Sequence, residues 1–105
     1  MSSKIVVNTL TDSNWYRKYD DGWTEQGGEI DVTFSNRGTC SFTFPVPFIE
    51  PPLSFNTTVH LAKTGDQLGF ELCVTSLTAT GVTLLYDYTT GSSNIKKVFW
   101  TAKGI

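Results

Sequence analysis

Apolar residues recur at every second position through most of this chain. In "IDVTF", Ile30, Val32 and Phe34 alternate with Asp31 and Thr33. "TCSFTF" sets Cys40, Phe42 and Phe44 against Thr39, Ser41 and Thr43. "FNTTVHLA" places Phe55, Val59 and Leu61 on one side, and "FELCV" groups Phe70, Leu72 and Val74. "VTLLY" gives Val82, Leu84 and Tyr86, and "KKVFWTA" gives Val98, Trp100 and Ala102. A period of two belongs to a pleated strand, whose successive side chains point to opposite faces. Turn formers separate the runs: "DDG", "SNRG", "KTGDQ", "TATG" and "TTGSSN". No window carries a helical period, and the abundant Thr and other β-branched residues suit a pleated surface. The pattern predicts an all-β domain, an antiparallel β-sandwich of about six to eight short strands. Phe42, Phe44, Leu72, Val74, Leu84 and Trp100 are its expected core.

Prolines 45, 47, 51 and 52 cluster in "FPVPFIEPPLSF". Proline cannot donate to a ladder, so this stretch is an edge or a corner between sheets. The polar start, residues 1–14, reads as a lead-in from a larger polypeptide or as an added strand, ahead of a domain over 15–105. The faces opposite the core rows are not uniformly polar. Leu77, Leu85 and Phe99 fall there, where a sheet with one wet face would alternate cleanly. That points to a covering partner, such as a sister subunit.

Composition narrows the class. The chain has 105 residues, enough for one small domain. Charged residues make up 17% and aromatics 13%, which excludes a disordered chain. The net charge of −2 leaves no excess of Lys or Arg to neutralise phosphates, so no nucleic-acid partner is expected. No segment is long and apolar enough for membrane insertion, and "IVV" is too short for a signal-peptide core. Cys40 and Cys73 lack metal-site spacing and face opposite ways by alternation, so they are expected to remain thiols.

Little in the sequence carries chemistry. His60 is the lone histidine, with no nucleophile motif around it. The acidic residues lie mainly in turns: Asp20, Asp21, Asp66 and Asp87. A calcium site from Asp20, Asp21 and Glu29 lacks the spacing of a helix–loop–helix calcium loop. No phosphate loop precedes a helix. The reading is a non-enzyme with no cofactor and no metal. A polysaccharide hydrolase is the weaker rival, because no acid pair is evident.

The densest segment is "WYRKYDDGWTEQGG", Trp15 to Gly28. Two short runs joined by Asp-Gly predict a hairpin. Trp15, Arg17 and Tyr19 share one face, Tyr16 and Lys18 the other. Gly27 and Gly28 allow a bulge or a close backbone approach. Tyr16, Arg17, Trp23, Glu25 and Gln26 are expected to serve as hairpin scaffold and subunit contact.

This hairpin, followed by "FTFPVPFIEPPLSF" and ending in "VFWTAKGI", resembles the C-terminal, receptor-binding tip domain of bacteriophage and prophage tail fibres. The likeness runs from about Asn14 to Ile105. Cys40 stands where such segments carry a polar residue, and "EPP" has one proline more than expected. The second half is also similar to the H-type lectins, trimeric antiparallel sandwiches that bind sugar near a subunit boundary. The resemblance implies a homotrimer joined to an upstream fibre shaft. It implies a virion component made in the host bacterial cytoplasm. It also implies recognition of a bacterial surface polysaccharide or other host receptor. A structural trimerisation or capping domain without receptor contact is the alternative.

The motifs fix no ligand site, so the candidates come from loops on a rigid scaffold. "DYTTGSSN" offers Asp87, Tyr88, Thr90, Ser92, Ser93 and Asn94, with Gly91 permitting close backbone approach. Across from it stand Asn36 and Arg37 of "SNRG", or Asp66 and Gln67 of "KTGDQ".

Overall fold

A computed structural model describes residues 5–10, 14–30, 36–61, 70–88 and 95–105. These form eight strands and no helix: β1 (Ile5–Leu10), β2 (Asn14–Tyr19), β3 (Thr24–Glu29), β4 (Asn36–Thr43), β5 (Ser54–Leu61), β6 (Phe70–Leu77), β7 (Gly81–Tyr88) and β8 (Ile95–Gly104). One sheet runs β1-β2-β3-β8-β5 and the other β4-β7-β6, with every pairing antiparallel. The period-two reading therefore gives the right class, a β-sandwich. Residues 5–10 belong to the larger sheet as β1, paired with β2. The strand expected through Val32 and Phe34 lies outside the described residues.

The hairpin β2–β3 closes on Gly22, whose φ of +91° disfavours any other residue. The Asp21 carboxylate accepts from the Trp23 amide at 3.0 Å and fixes the turn. Gly27 serves close approach rather than a bulge, for its register with Trp15 is unbroken. A Cβ there would lie 2.6 Å from the Trp100 carbonyl and 2.7 Å from the Trp15 indole nitrogen. The β6–β7 turn is held by Thr78, whose Oγ1 accepts from the Gly81 amide at 3.1 Å.

The core lies between the sheets. β8 supplies buried Val98, Trp100 and Ala102, and β7 supplies Val82 and Leu84. Trp100, 2% exposed, is ringed by Phe42 at 5.0 Å, Phe44 at 5.6 Å and Phe55 at 6.1 Å between centroids. Phe48 meets Phe44 edge-on at 5.3 Å. Offset and edge-on aromatic pairs add about 0.5–1.5 kcal/mol each beyond burial.

Residues 44–53 carry the chain from the smaller sheet to the larger, as the prolines require. Gln26 holds this corner. Its side chain is 0% exposed. Its Nε2 donates to the Val46 carbonyl at 2.6 Å, and its Oε1 accepts from the Val46 amide at 3.0 Å. Val46 sits between Pro45 and Pro47, so its own amide is the donor those two residues lack.

Three expectations need correction. Val74 is 44% exposed and is not core. β6 is the outer strand of the smaller sheet, so little covers Val74 although it pairs with buried Leu84. Leu77 is not on the outer face. The register of β6 shifts between Val74 and Ser76, which brings Leu77 opposite Val82 and against the core. The extra residue reverses the alternation, as bulges do. Third, "SNRG" is not a turn up to Gly38, because Asn36, Arg37 and Gly38 already belong to β4. Leu85 remains half-buried and Phe99 exposed.

Emptying the aromatic ring by Trp100→Ala is expected to cost about 3–5 kcal/mol, read from urea unfolding. Gln26→Ala should cost about 1–3 kcal/mol for each Val46 group left unpaired. An unchanged midpoint in Gln26→Ala would show that water replaces the amide without loss.

Candidate functional site

The outer face of the larger sheet carries the hairpin's side chains as one connected surface. Arg17 lies over the Trp15 ring at 5.6 Å, a cation–π contact. Glu25 is the centre of the next group. It accepts from the Tyr19 hydroxyl at 2.9 Å and from the Trp23 indole at 3.4 Å. Lys103 of β8 reaches the same carboxylate at 4.0 Å. Further along, Lys97 donates to Glu29 at 3.0 Å. These exposed ion pairs orient more than they stabilise. Tyr16 pairs with Gln26 and so shares the inner side of its sheet. Gln26 is therefore internal scaffold rather than a polar tip offered to a neighbour.

Lys103 was not legible as a partner of this hairpin. It is far away in sequence and meets Glu25 only because β8 pairs with β3, with Glu25 opposite Lys103.

At one end of the smaller sheet, Arg37, Asp87 and Glu71 form a cross-strand row, with Asp87 central. Asp87 and Tyr88 close β7 instead of opening a loop, and Asn36 pairs with Tyr88. Continued ladder pairing with β4 extends β7 through what reads in sequence as a polar connection. Asp87 faces an opposite charge, Arg37, on one side and a like charge, Glu71, on the other, so these charges offset each other and the ladder itself carries the extension. Glu71 joins the row only through β6 pairing and was not foreseen. The other loop candidates, Asp66, Gln67, Thr90, Gly91, Ser92, Ser93 and Asn94, lie outside the described residues. Of the predicted set, the structure thus brings Arg37 and Asp87 side by side, beside the Asn36–Tyr88 pair.

Nothing in the described surface assembles a reaction centre. His60 is exposed on β5, opposite Lys97. Asp20 and Asp21 adjoin the hairpin turn while Glu29 closes the far end of β3, so these three do not converge. Among the described residues no group of three His, Cys, Asp or Glu side chains is placed to hold a metal ion. Cys40 and Cys73 are free thiols. Cys40 pairs with Leu84 toward the core, and Cys73 with Leu85 on the other face. Burial raises the Cys40 thiol's pKa above the ordinary range.

No family model matches the chain, and no curated protein matches it by sequence. Solved structures do match. An N-truncated R1-type pyocin tail fibre aligns with a TM-score of 0.71 at 20% identity, over 95% of this chain and 87% of that one. The chain has the fold of a pyocin tail-fibre domain. A C-terminal fragment of the P. aeruginosa R2 pyocin fibre aligns with a TM-score of 0.68 at 22% identity, over 94% of this chain. An N-truncated R2-type pyocin tail fibre gives 0.69 at 22% identity over the same share. The chain spans 25% and 37% of those two fibre chains, so it matches one part of each.

The Tyr19–Glu25 contact has a pH signature. The hydrogen bond to Glu25 first, then desolvation, raises the Tyr19 phenol above its usual value of 10.0. A raised pKa in the folded state means that the contribution is complete below pH 10 and is lost as pH climbs through the folded value. In a 295 nm titration, Tyr19 should ionise later in the parent than in Glu25→Ala. The parent's unfolding midpoint should also fall more steeply above that pH than the variant's.

Proposed function

We propose that this chain is the receptor-binding tip domain of a phage or phage-like tail fibre and that it recognises a bacterial surface glycan without catalysis. The observation that carries the reading is the fold, shared with a pyocin tail fibre over 95% of this chain and 87% of that one. The tail-fibre hairpin and proline corner of the sequence support it independently. The reading makes the protein a virion component attached to an upstream shaft.

The same reading makes the protein a homotrimer. Leu85 and Phe99, on the outer faces of the two sheets, are the residues a sister subunit would cover. Recognition is assigned to the end of the smaller sheet at Arg37 and Asp87, with Asn36, Tyr88 and the flanking loop residues. Arg37 and Asp87 supply a donor and an acceptor side by side, a pairing suited to sugar hydroxyls.

One observation favours the structural alternative, a capping or assembly domain. Ile49 and Leu53 are 82% and 76% exposed. Both lie beside the end of β8, where the Ile105 carbonyl accepts from the Ile49 amide at 2.9 Å and the Lys103 carbonyl from Leu53 at 2.8 Å. Exposed aliphatic side chains gathered at one end suit contact with another part of a fibre.

A fluorescent fusion of the chain should bind cells of a susceptible strain, and periodate oxidation of the cell surface should abolish binding. Asp87→Ala and Arg37→Ala should weaken it while leaving the fold intact. Each polar contact is worth about 0.5–1.5 kcal/mol, and three-fold display would amplify the loss on cells. Binding insensitive to periodate, or absent from every strain tested, favours the capping role. Sedimentation at micromolar concentration should give three times the chain mass, and a monomer would count against the assembly.

A further inference from the structure

The larger sheet overhangs the smaller one beside β4, and a cleft of about 210 Å³ opens there. A cross-strand row of the larger sheet forms one side. Asn14, Gly28 and Trp100 are register partners on adjacent strands β2, β3 and β8. Asn14 and Trp100, the outer two of the row, both line the cleft. Phe42, Trp100, Ile30 and Pro45 give the cleft apolar walls.

The polar lining comes partly from strand backbone. β4 is the outer strand of its sheet. The Phe44 amide donates to Thr80, toward β7. Antiparallel ladders alternate, so Phe42 also bonds toward β7. Ser41 and Thr43 then turn their N–H and C=O groups the other way, to the edge that no other described strand pairs with, and both residues line the cleft. Their close side-chain approach to β7 agrees with a non-bonded pair, Ser41 Oγ lying 2.8 Å from Thr83 Oγ1.

The cleft therefore offers donors and acceptors in alternation against aromatic and aliphatic walls. It offers no uncompensated charge. Glu29, the one ionised residue at its rim, has its carboxylate tied to Lys97 at 3.0 Å. Its volume falls below the roughly 300 Å³ at which sites for drug-sized molecules begin. A small neutral ring with hydroxyls along its rim and C–H groups on its face satisfies all four conditions.

We propose that this cleft is a subsite for one neutral sugar residue, bound through the edge of β4 at Ser41 and Thr43 and through Asn14, with Phe42 and Pro45 as the apolar wall. It is separate from the Arg37–Asp87 end. The choice of a sugar rests on the recognition role proposed above, whereas the position of the cleft does not.

The test is amide NMR on the 105-residue chain, titrated with methyl glycosides of glucose, galactose, mannose, rhamnose and N-acetylglucosamine. At least one glycoside should give saturable, millimolar shifts at Ser41, Thr43 and the Asn14 side chain. It should also slow hydrogen exchange at Ser41 and Thr43 but not at ladder-bonded Phe42. Asn14→Leu, which fills the cleft with an apolar side chain, should weaken binding at least tenfold. Lys97→Ala, which leaves the lining in place, should weaken it less. No saturable shift with any glycoside, or shifts unchanged in Asn14→Leu, overturns the subsite. Cell binding by the fusion separates the two readings. Periodate-sensitive binding that survives Asn14→Leu removes the cleft and keeps the recognition role. Saturable sugar binding at the cleft without cell binding supports the cleft and removes that role.

Discussion

The corner between the sheets depends on one side chain amide. A five-stranded sheet and a three-stranded sheet can close over a core only if the chain passes from one to the other without leaving polar backbone stranded. The crossing segment is rich in proline, which stiffens it and strips it of amide donors. Gln26 answers with both ends of its amide, one to each backbone group of Val46. The corner then carries Phe44 and Phe48 into the core from either side of that clamp. A leucine at 26 would pack, but it would leave the part-buried N–H and C=O of Val46 without their partner.

Around that clamp the core is aromatic and centred on Trp100. The strand that bears Trp100 lies between β3 and β5, so its inner residues are covered from both sides. The consequence for function is a rigid platform with unequal sheets. Where the larger sheet overhangs, an edge strand and a cleft are left open among the described residues. Where β4 and β7 run on together, charged residues stand in a row at the sheet's end. Both features are products of sheet mismatch, and neither requires movement.

The outer surface follows a different logic. On the larger sheet, aromatic and charged groups are knitted into short contacts, with Glu25 gathering Tyr19, Trp23 and Lys103. Such a surface is fixed in shape before any partner arrives, which lowers the ordering cost of binding. Leu85 and Phe99 interrupt it, and the aliphatic group at Ile49 and Leu53 marks one end.

The sequence by itself determined the class of fold, the β2–β3 hairpin, the corner at the prolines and most of the core row. Each of these follows from local rules: alternation, the Asp-Gly turn, and the missing donor of proline. It could not determine the side on which Leu77 lies, because one bulged residue in β6 reverses every later side chain. Nor could it tell that Val74 sits on an outer strand, since strand order is a property of the whole sheet. Gln26 looked like a surface polar residue, because its partner Val46 is brought to it only by the closing of the sandwich. Asp87 and Arg37 looked like loop residues, because the pairing that extends their strands joins segments far apart in the chain. The cleft beside β4 carries no motif at all. It gathers Asn14, Trp100 and the edge of β4, which lie far apart in the chain and meet only when the strands pair and the sheets close.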